Sequence, residues 1–328
     1  MKKNFIISLL FTVLSIFMFY GNIYASQSEF SVSTEKNEYT DPNINNYYSI
    51  KLLPTQDTTL KLKIINQSQH KNTFNIKVLS SKTKSDMTIS YFHIASEKLN
   101  NSYVSVNNLV KSRTDRITIN PKSEKEVNIY VKMPEKYYTG KILGGINIVR
   151  EPRTTERRSN GLTPQFAYLI PIVLRQNDES VSPTIKFGSA HVVSHNSKNY
   201  LSLHIDNIDF NIINNVDVKM KLYDQNGKII FKNKSSRHSI APKSTFDYTI
   251  PLNKTVLSKG KYTYSISLID KNGHSWSAKR IIDIKENKAR KIEKNVNHTS
   301  NILNKYLIIA AAILIFVLIV FVKIFRKK

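Results

Sequence analysis

The chain has no cysteine in 328 residues. Disulfides and thiolate metal sites are thereby excluded, and any exported part must hold its domains together by core burial alone. Acid is scarce as well, with 24 Asp and Glu against 49 Lys and Arg and a formal net charge of +25. The excess is diffuse: residues 26–180 carry 22 basic and 15 acidic side chains, 181–285 carry 16 and 7, and 286–305 carry 5 and 2. A positive field of this kind suits polyanions such as anionic wall polymers or lipid headgroups. Nucleic acid is set aside as a partner, because no recognition motif accompanies the charge. Helical periodicity is missing too, with no convincing example between residues 30 and 285.

Catalytic signatures are equally sparse, and the chain reads as a non-enzyme without cofactor or metal. No Gly-x-Ser-x-Gly elbow accompanies the serines. His191 and His195 are four apart, but on a strand or loop that spacing does not bring side chains together. His204 falls on the polar side of a strand, and Trp276, the only tryptophan, alternates with Ala278 as a core residue does.

What is present begins with two apolar runs at the ends. Lys2 and Lys3 precede Phe5 to Phe19, and Gly21 to Ala25 follows, which reads as a secretory signal, residues 1–25, cleaved after Ala25. Tyr306 to Val322 is seventeen residues without a charge, about 25 Å of apolar helix, and Arg326-Lys327-Lys328 stands behind it. The expectation is one transmembrane helix, 306–322, with a cytoplasmic tail, 323–328, and everything between signal and span outside the cell membrane.

Between the ends the period is two. Leu60, Leu62 and Ile64 alternate with lysines, and after a polar turn Phe74, Ile76 and Val78 alternate again, predicting a hairpin. Further runs at Ile117/Ile119, Val127 to Met133, Ile142 to Ile148 and Phe166 to Leu174 complete a first domain, 26–180. After a polar linker at 176–184 the pattern restarts, with turns at Asp224-Gln225-Asn226-Gly227 and Asp270-Lys271-Asn272-Gly273, giving a second domain, 181–285. The fold class predicted is all-β, two antiparallel β-sandwiches of immunoglobulin type. The halves echo each other: Asn120-Pro121-Lys122-Ser123, a strand and Gly140-Lys141 in the first match Ala241-Pro242-Lys243-Ser244, a strand and Gly260-Lys261 in the second. Residues 286–305 are rich in Asn and Lys and read as a stalk reaching at most about 65–70 Å if fully extended, and less if partly helical.

Two stretches are candidate contacts. The charged segment between the strands ending at Ile148 and starting at Phe166 holds Arg150, Arg153, Arg157 and Arg158, whose guanidinium forks suit carboxylates or phosphates; a solvated loop is the plainer reading. Gly144-Gly145 inside an apolar strand marks a bulge or a close backbone approach, open to a partner strand or a glycan.

Taken together, Gly140-Lys141-Ile142-Leu143-Gly144-Gly145-Ile146 and Ala241-Pro242-Lys243-Ser244-Thr245-Phe246, with the signal, two β domains and terminal span, resemble the WxL-interacting protein family of Gram-positive surface proteins. The resemblance implies an N-terminal peptidoglycan-binding domain, a C-terminal domain for host proteins, association with WxL-domain surface proteins at the wall, and no enzymatic activity. The sequence departs from the family at Ser80 to Ser85, where an acidic or Gly-rich turn is usual, and in its strong basic charge. Two rivals remain: a host-matrix adhesin, and a wall-modifying enzyme.

Overall fold

The computed structural model describes residues 29–91, 105–111, 114–154 and 165–296. The signal segment, the apolar run 306–322 with its tail, and Arg157 and Arg158 lie outside the described residues. Among the described residues no helix is long and apolar enough to cross a membrane.

The first half folds because alternating side chains from two sheets share one interior. One sheet is β1 (Phe30–Thr34), β3 (Asp57–Asn66) and β8 (Glu124–Lys132), in that order. The other runs β2 (Tyr48–Lys51), β10 (Ala167–Arg175), β9 (Lys141–Arg150), β4 (Asn72–Ser80) and β7 (Thr114–Ile119). Leu60, Leu62 and Ile64 of β3 meet Phe74, Ile76 and Val78 of β4 in a core that also takes Ile146, Ile148 and Ile172. Phe30 sits 4.8 Å from the Phe74 ring and 4.9 Å from Tyr168. Burying each such side chain contributes about 1.5–3 kcal/mol.

Two expectations need correction here. β3 and β4 do not form a hairpin: they lie in opposite sheets, and the turn between them is an arch across the core. Alternation cannot separate the two arrangements, since either one points the same apolar set inward. Nor is the sheet wholly antiparallel, because β2 runs parallel to β10. The chain crosses from β1 to the far sheet through residues 35–47 and is added at its edge, a position reached without a hairpin.

The second half repeats the scheme with β11 (Ile185–His195), β12 (Lys198–Asn207) and β15 (Ser244–Pro251) facing β14 (Ile229–Ile240), β13 (Ile213–Tyr223), β16 (Gly260–Ile269) and β17 (Ser275–Ile284). Leu203, Ile205, Val218, Leu222, Tyr264 and Leu268 form its centre. Along one side Arg280 of β17 donates to the Gly188 carbonyl at 2.7 Å and to the Phe187 carbonyl, at a register shift in β11.

The opposite side is sealed by residues from the first half. After β4 the chain forms a small hairpin, β5 (Lys82–Thr83) and β6 (Ile89–Ser90). Its tip bridges the two sheets of the second half. The Ser239 N–H donates to the Met87 carbonyl on the β14 side, and the Thr249 N–H donates to the Ser85 carbonyl on the β15 side, each at 2.9 Å. Met87 is fully buried in the second core. Below it Ser244 Oγ donates to Thr83 Oγ1 at 2.7 Å, and Thr83 Oγ1 accepts the Ala241 N–H at 2.9 Å. The polar run Ser80–Ser85 is thus the start of a docked element.

A second junction lies at Phe210. Its carbonyl accepts the Lys141 N–H at 2.6 Å, its ring packs 5.0 Å from Tyr138, and Lys243 Nζ rests 4.7 Å from the ring centroid. Gly140 has φ +107°, and a Cβ there would run into the Phe210 backbone, so this residue is held to glycine by both conformation and space.

At the other end of the second half, residues 286–296, the first part of the expected stalk, are helical. Ala289, Ile292 and Val296 recur at helical spacing, and Ile292 and Val296 are buried. Asn199 Nδ2 donates to the Ile292 carbonyl and Asn295 Nδ2 to Asn199 Oδ1, each at 2.9 Å, which pins the helix to the start of β12.

Candidate binding surfaces

The arginine-bearing segment leaves the first sandwich at the end of β9. There the structure brings two of the four predicted arginines onto one carboxylate. Arg150, whose side chain is 3% exposed, places Nε 3.2 Å from Glu29 Oε2. Arg153 donates from Nη2 to Glu29 Oε1 at 2.9 Å and from Nη1 to Asn72 Oδ1 at 3.4 Å. Beside them Arg116 grips Glu151 with two bonds of 2.8 Å, and Asn75 Nδ2 donates to the same carboxylate at 2.9 Å. Three arginines here face two glutamates. Arg150 and Arg153 position the base of the segment, and Arg157 and Arg158 lie outside the described residues. Glu29, which completes the cluster, carried no signal in sequence, because an acid just before a first strand is unremarkable.

The glycine pair in β9 is filled from within. A Cβ at Gly144 would meet the Val106 side chain at 2.6 Å, and one at Gly145 would meet Leu169 and the Tyr91 ring at 2.8 and 2.9 Å. Val106 belongs to a single helical turn, Val106–Leu109, laid on this strand. β9 pairs with β4 and β10 without a register shift, so the close approach is made by the chain's own side chains and not by a bulge.

Trp276 packs against the second core, as its alternation predicts, with Nε1 donating to the Pro183 carbonyl at 3.3 Å and His274 stacked 6.0 Å away. His274 Nδ1 lies 2.8 Å from Asp270 Oδ2. Burial alone would raise the Asp270 carboxyl, but hydrogen bonds from the His274 ring and from the backbone N–H groups of His274 and Asn272 outweigh it and hold the group below the usual carboxylate range. His191 and His195 lie at separate positions along β11, and His204 pairs with Asp247 at 2.9 Å on the outer face. Among the described residues no group of three or more His, Asp or Glu is arranged to hold a metal ion. An open groove of about 840 Å³ lies where β16 and β17 meet the helix, lined by Asp224, Lys261, Ile281, Asp283 and Glu286.

Two family models match the sequence. Residues 30–150 match the WxL Interacting Protein peptidoglycan binding domain, and residues 158–294 match the WxL Interacting Protein host binding domain. No curated protein matches the chain. Similar solved structures include a chain of a chaperone–tip adhesin complex of CFA/I fimbriae biogenesis, 10% identical over 76% of this chain and 98% of that one, TM-score 0.33. The class 5 fimbriae chaperone CfaA is 10% identical over 76% and 99%, TM-score 0.31. The Pseudomonas aeruginosa CupB2 chaperone is 12% identical over 71% and 96%, TM-score 0.28.

Proposed function

Because the chain belongs to the WxL-interacting protein family, we propose that it is a membrane-tethered surface protein that binds peptidoglycan with its first sandwich, presents its second to host proteins, and holds secreted WxL-domain proteins at the wall. The observation that carries this reading is the adjacent pair of domain matches, peptidoglycan-binding at 30–150 and host-binding at 158–294. Both sandwiches are read as immunoglobulin-type, and their role as recognition rather than catalysis. The signal at 1–25 and the span at 306–322 supply export and anchorage, so that the N-terminal part faces the wall and residues 323–328 the cytoplasm.

Within the first sandwich, the segment rooted by Arg150 and Arg153 offers Arg157 and Arg158 to acidic groups of the wall. The test is retention of the protein on purified sacculi. The wild type should be retained, and Arg157→Ser with Arg158→Ser should weaken retention and flatten its salt dependence. Retention that the double change leaves untouched removes the segment from the proposal, and a wild type that washes off removes peptidoglycan binding itself. For host ligands, the second half is assayed with residues 81–90 supplied, since the hairpin tip belongs to its core.

A further inference from the structure

The two ends of the second sandwich differ sharply in charge. At the end that meets the first half, the segments 181–184, 208–212, 241–243 and 270–274 hold two Lys and two Asp. At the end from which the chain departs, the turns 195–198 and 224–228, the loop 252–261 and residues 285–296 hold ten Lys and Arg against three acids. Strand pairing fixes these segments together: Gly260 opposes Ile284, Tyr223 opposes Ile229, and Tyr200 opposes Pro251. The helix joins the two sheets across this end through Asn199.

Within the basic field three large apolar side chains stand out of the fold, Ile281 in the groove beside Lys261 at 70% exposure and two on the turns. Val256 is 47% exposed on the loop between Lys254 and Lys259, anchored by fully buried Leu252 and Leu257, and Ile229 is 44% exposed beside Lys228. Burial, and after it the neighbouring Lys291, holds Lys288 below the ordinary lysine range. Only nine residues, 297–305, separate the end of the described helix from the apolar run at 306. Even fully extended they reach about 30 Å.

We infer that this end of the second sandwich is a membrane-docking face, with Lys254, Lys259, Lys291 and Lys294 on anionic phospholipid headgroups and Val256 at the headgroup boundary. The inference rests on the tether at 306–322 proposed above. A short connection confines this end near the bilayer, lysines beside an anionic leaflet are drawn to it, and an exposed apolar residue among lysines inserts where water gives way to lipid. The first half, joined at the opposite end, is thereby directed away from the membrane.

The absence of cysteine makes the test direct. The full chain with Val256→Cys carries an environment-sensitive fluorophore and is placed in nanodiscs of phosphatidylcholine alone or with phosphatidylglycerol. The expected result is a blue shift and loss of iodide quenching only in the anionic discs, reversed by high salt and abolished when Lys254, Lys259, Lys291 and Lys294 are changed to Glu. A probe at Lys271→Cys, on the other end, should not respond. Equal emission in both discs, with the chain still resistant to alkaline extraction, overturns the docking face and leaves the tether standing. A chain extracted by alkali overturns the tether and this face with it. A shift in neutral discs produced by added polyglycerol phosphate assigns the surface to a wall polymer and overturns the lipid assignment.

Discussion

Asn66 at the end of β3 donates from Nδ2 to the His70 and Asn120 carbonyls at 2.8 and 2.9 Å, and Lys122, at φ 53°, reaches back to the Gln67 carbonyl at 2.6 Å. Asn207 at the end of β12 donates to the Asn211 and Ala241 carbonyls at 2.8 and 2.9 Å, and Lys243, at φ 49°, reaches the Ile208 carbonyl at 2.6 Å. The offsets from each Asn are the same, four residues on for its own bond and one on for the lysine. The two sandwiches therefore share the main bonds of one corner, yet they differ in how they are sealed. The first covers β9 with its own Val106 and Tyr91, whereas the second borrows Ser85 and Met87 from across the molecule. Local architecture is duplicated, but the exchange between the halves is unequal: the second core takes the fully buried Met87, and the first takes in return only the partly buried Phe210 ring.

The largest test of that asymmetry is Met87→Ala. Emptying a fully buried site costs about 2–5 kcal/mol, and the loss should fall on the second sandwich although the residue is encoded in the first. Trp276, the only tryptophan, packs on the second core and reports it alone. In urea its fluorescence transition should move to lower concentration while the tyrosine-rich first half holds its midpoint. Equal shifts in both signals would mean that the halves unfold as one, and the asymmetry would be gone.

A smaller pair of changes sharpens the likeness. Asn66→Ala and Asn207→Ala each leave buried carbonyls unpaired, at about 1–3 kcal/mol. Each should lower only its own half, and Asn66→Ala should cost more, because Asn66 also donates to the Ile119 carbonyl and accepts from Asn72 and Ser68. Indifference of either half to its change would show that the repeated corner is not a repeated source of stability.

The smallest effect is acid-dependent and belongs to the second half alone. The folded Asp270 carboxyl titrates below its unfolded value, so its contribution is complete above the ordinary carboxylate range and is lost as pH falls through the folded value. Trp276 emission should change in that acid window, before global unfolding, as the Asp270–His274 contact under the indole is lost. Asp270→Asn should remove this early limb, and an identical acid profile in the variant would assign it elsewhere.

Much of this was legible in the amino-acid order, for physical reasons. Period-two alternation is imposed by the pleat, so β3, β4, β8, β9, β12, β13 and β16 were readable, and the Pro-Lys-Ser repeat announced the shared corner. Alternation says which side chains face inward but not which sheet a strand joins, and so it predicts a β3–β4 hairpin where the fold has an arch between sheets. Met87 carries no signal in sequence, because a lone apolar residue in Lys84-Ser85-Asp86-Met87-Thr88 has no periodic company, and its partners lie about a hundred residues or more away. The helix at 286–296 did carry a signal in Ala289, Ile292 and Val296, hidden beneath the lysine and asparagine content. Of the arginines, Arg150 sits at the end of a strand whose residues are almost all buried, and only the fold reveals that it faces Glu29, a carboxylate it shares with Arg153.

The borrowed hairpin has a mechanical consequence. Tension applied between the two halves does not pass only along the polypeptide from Arg175 to Ile185. It is shared with the docked hairpin, through the Ser85 and Met87 backbone bonds and the Met87 side chain, and with the Phe210 junction, and these must part before the halves can swing apart. A bridge carried on several such struts resists twisting as well as stretching, which a single covalent hinge does not.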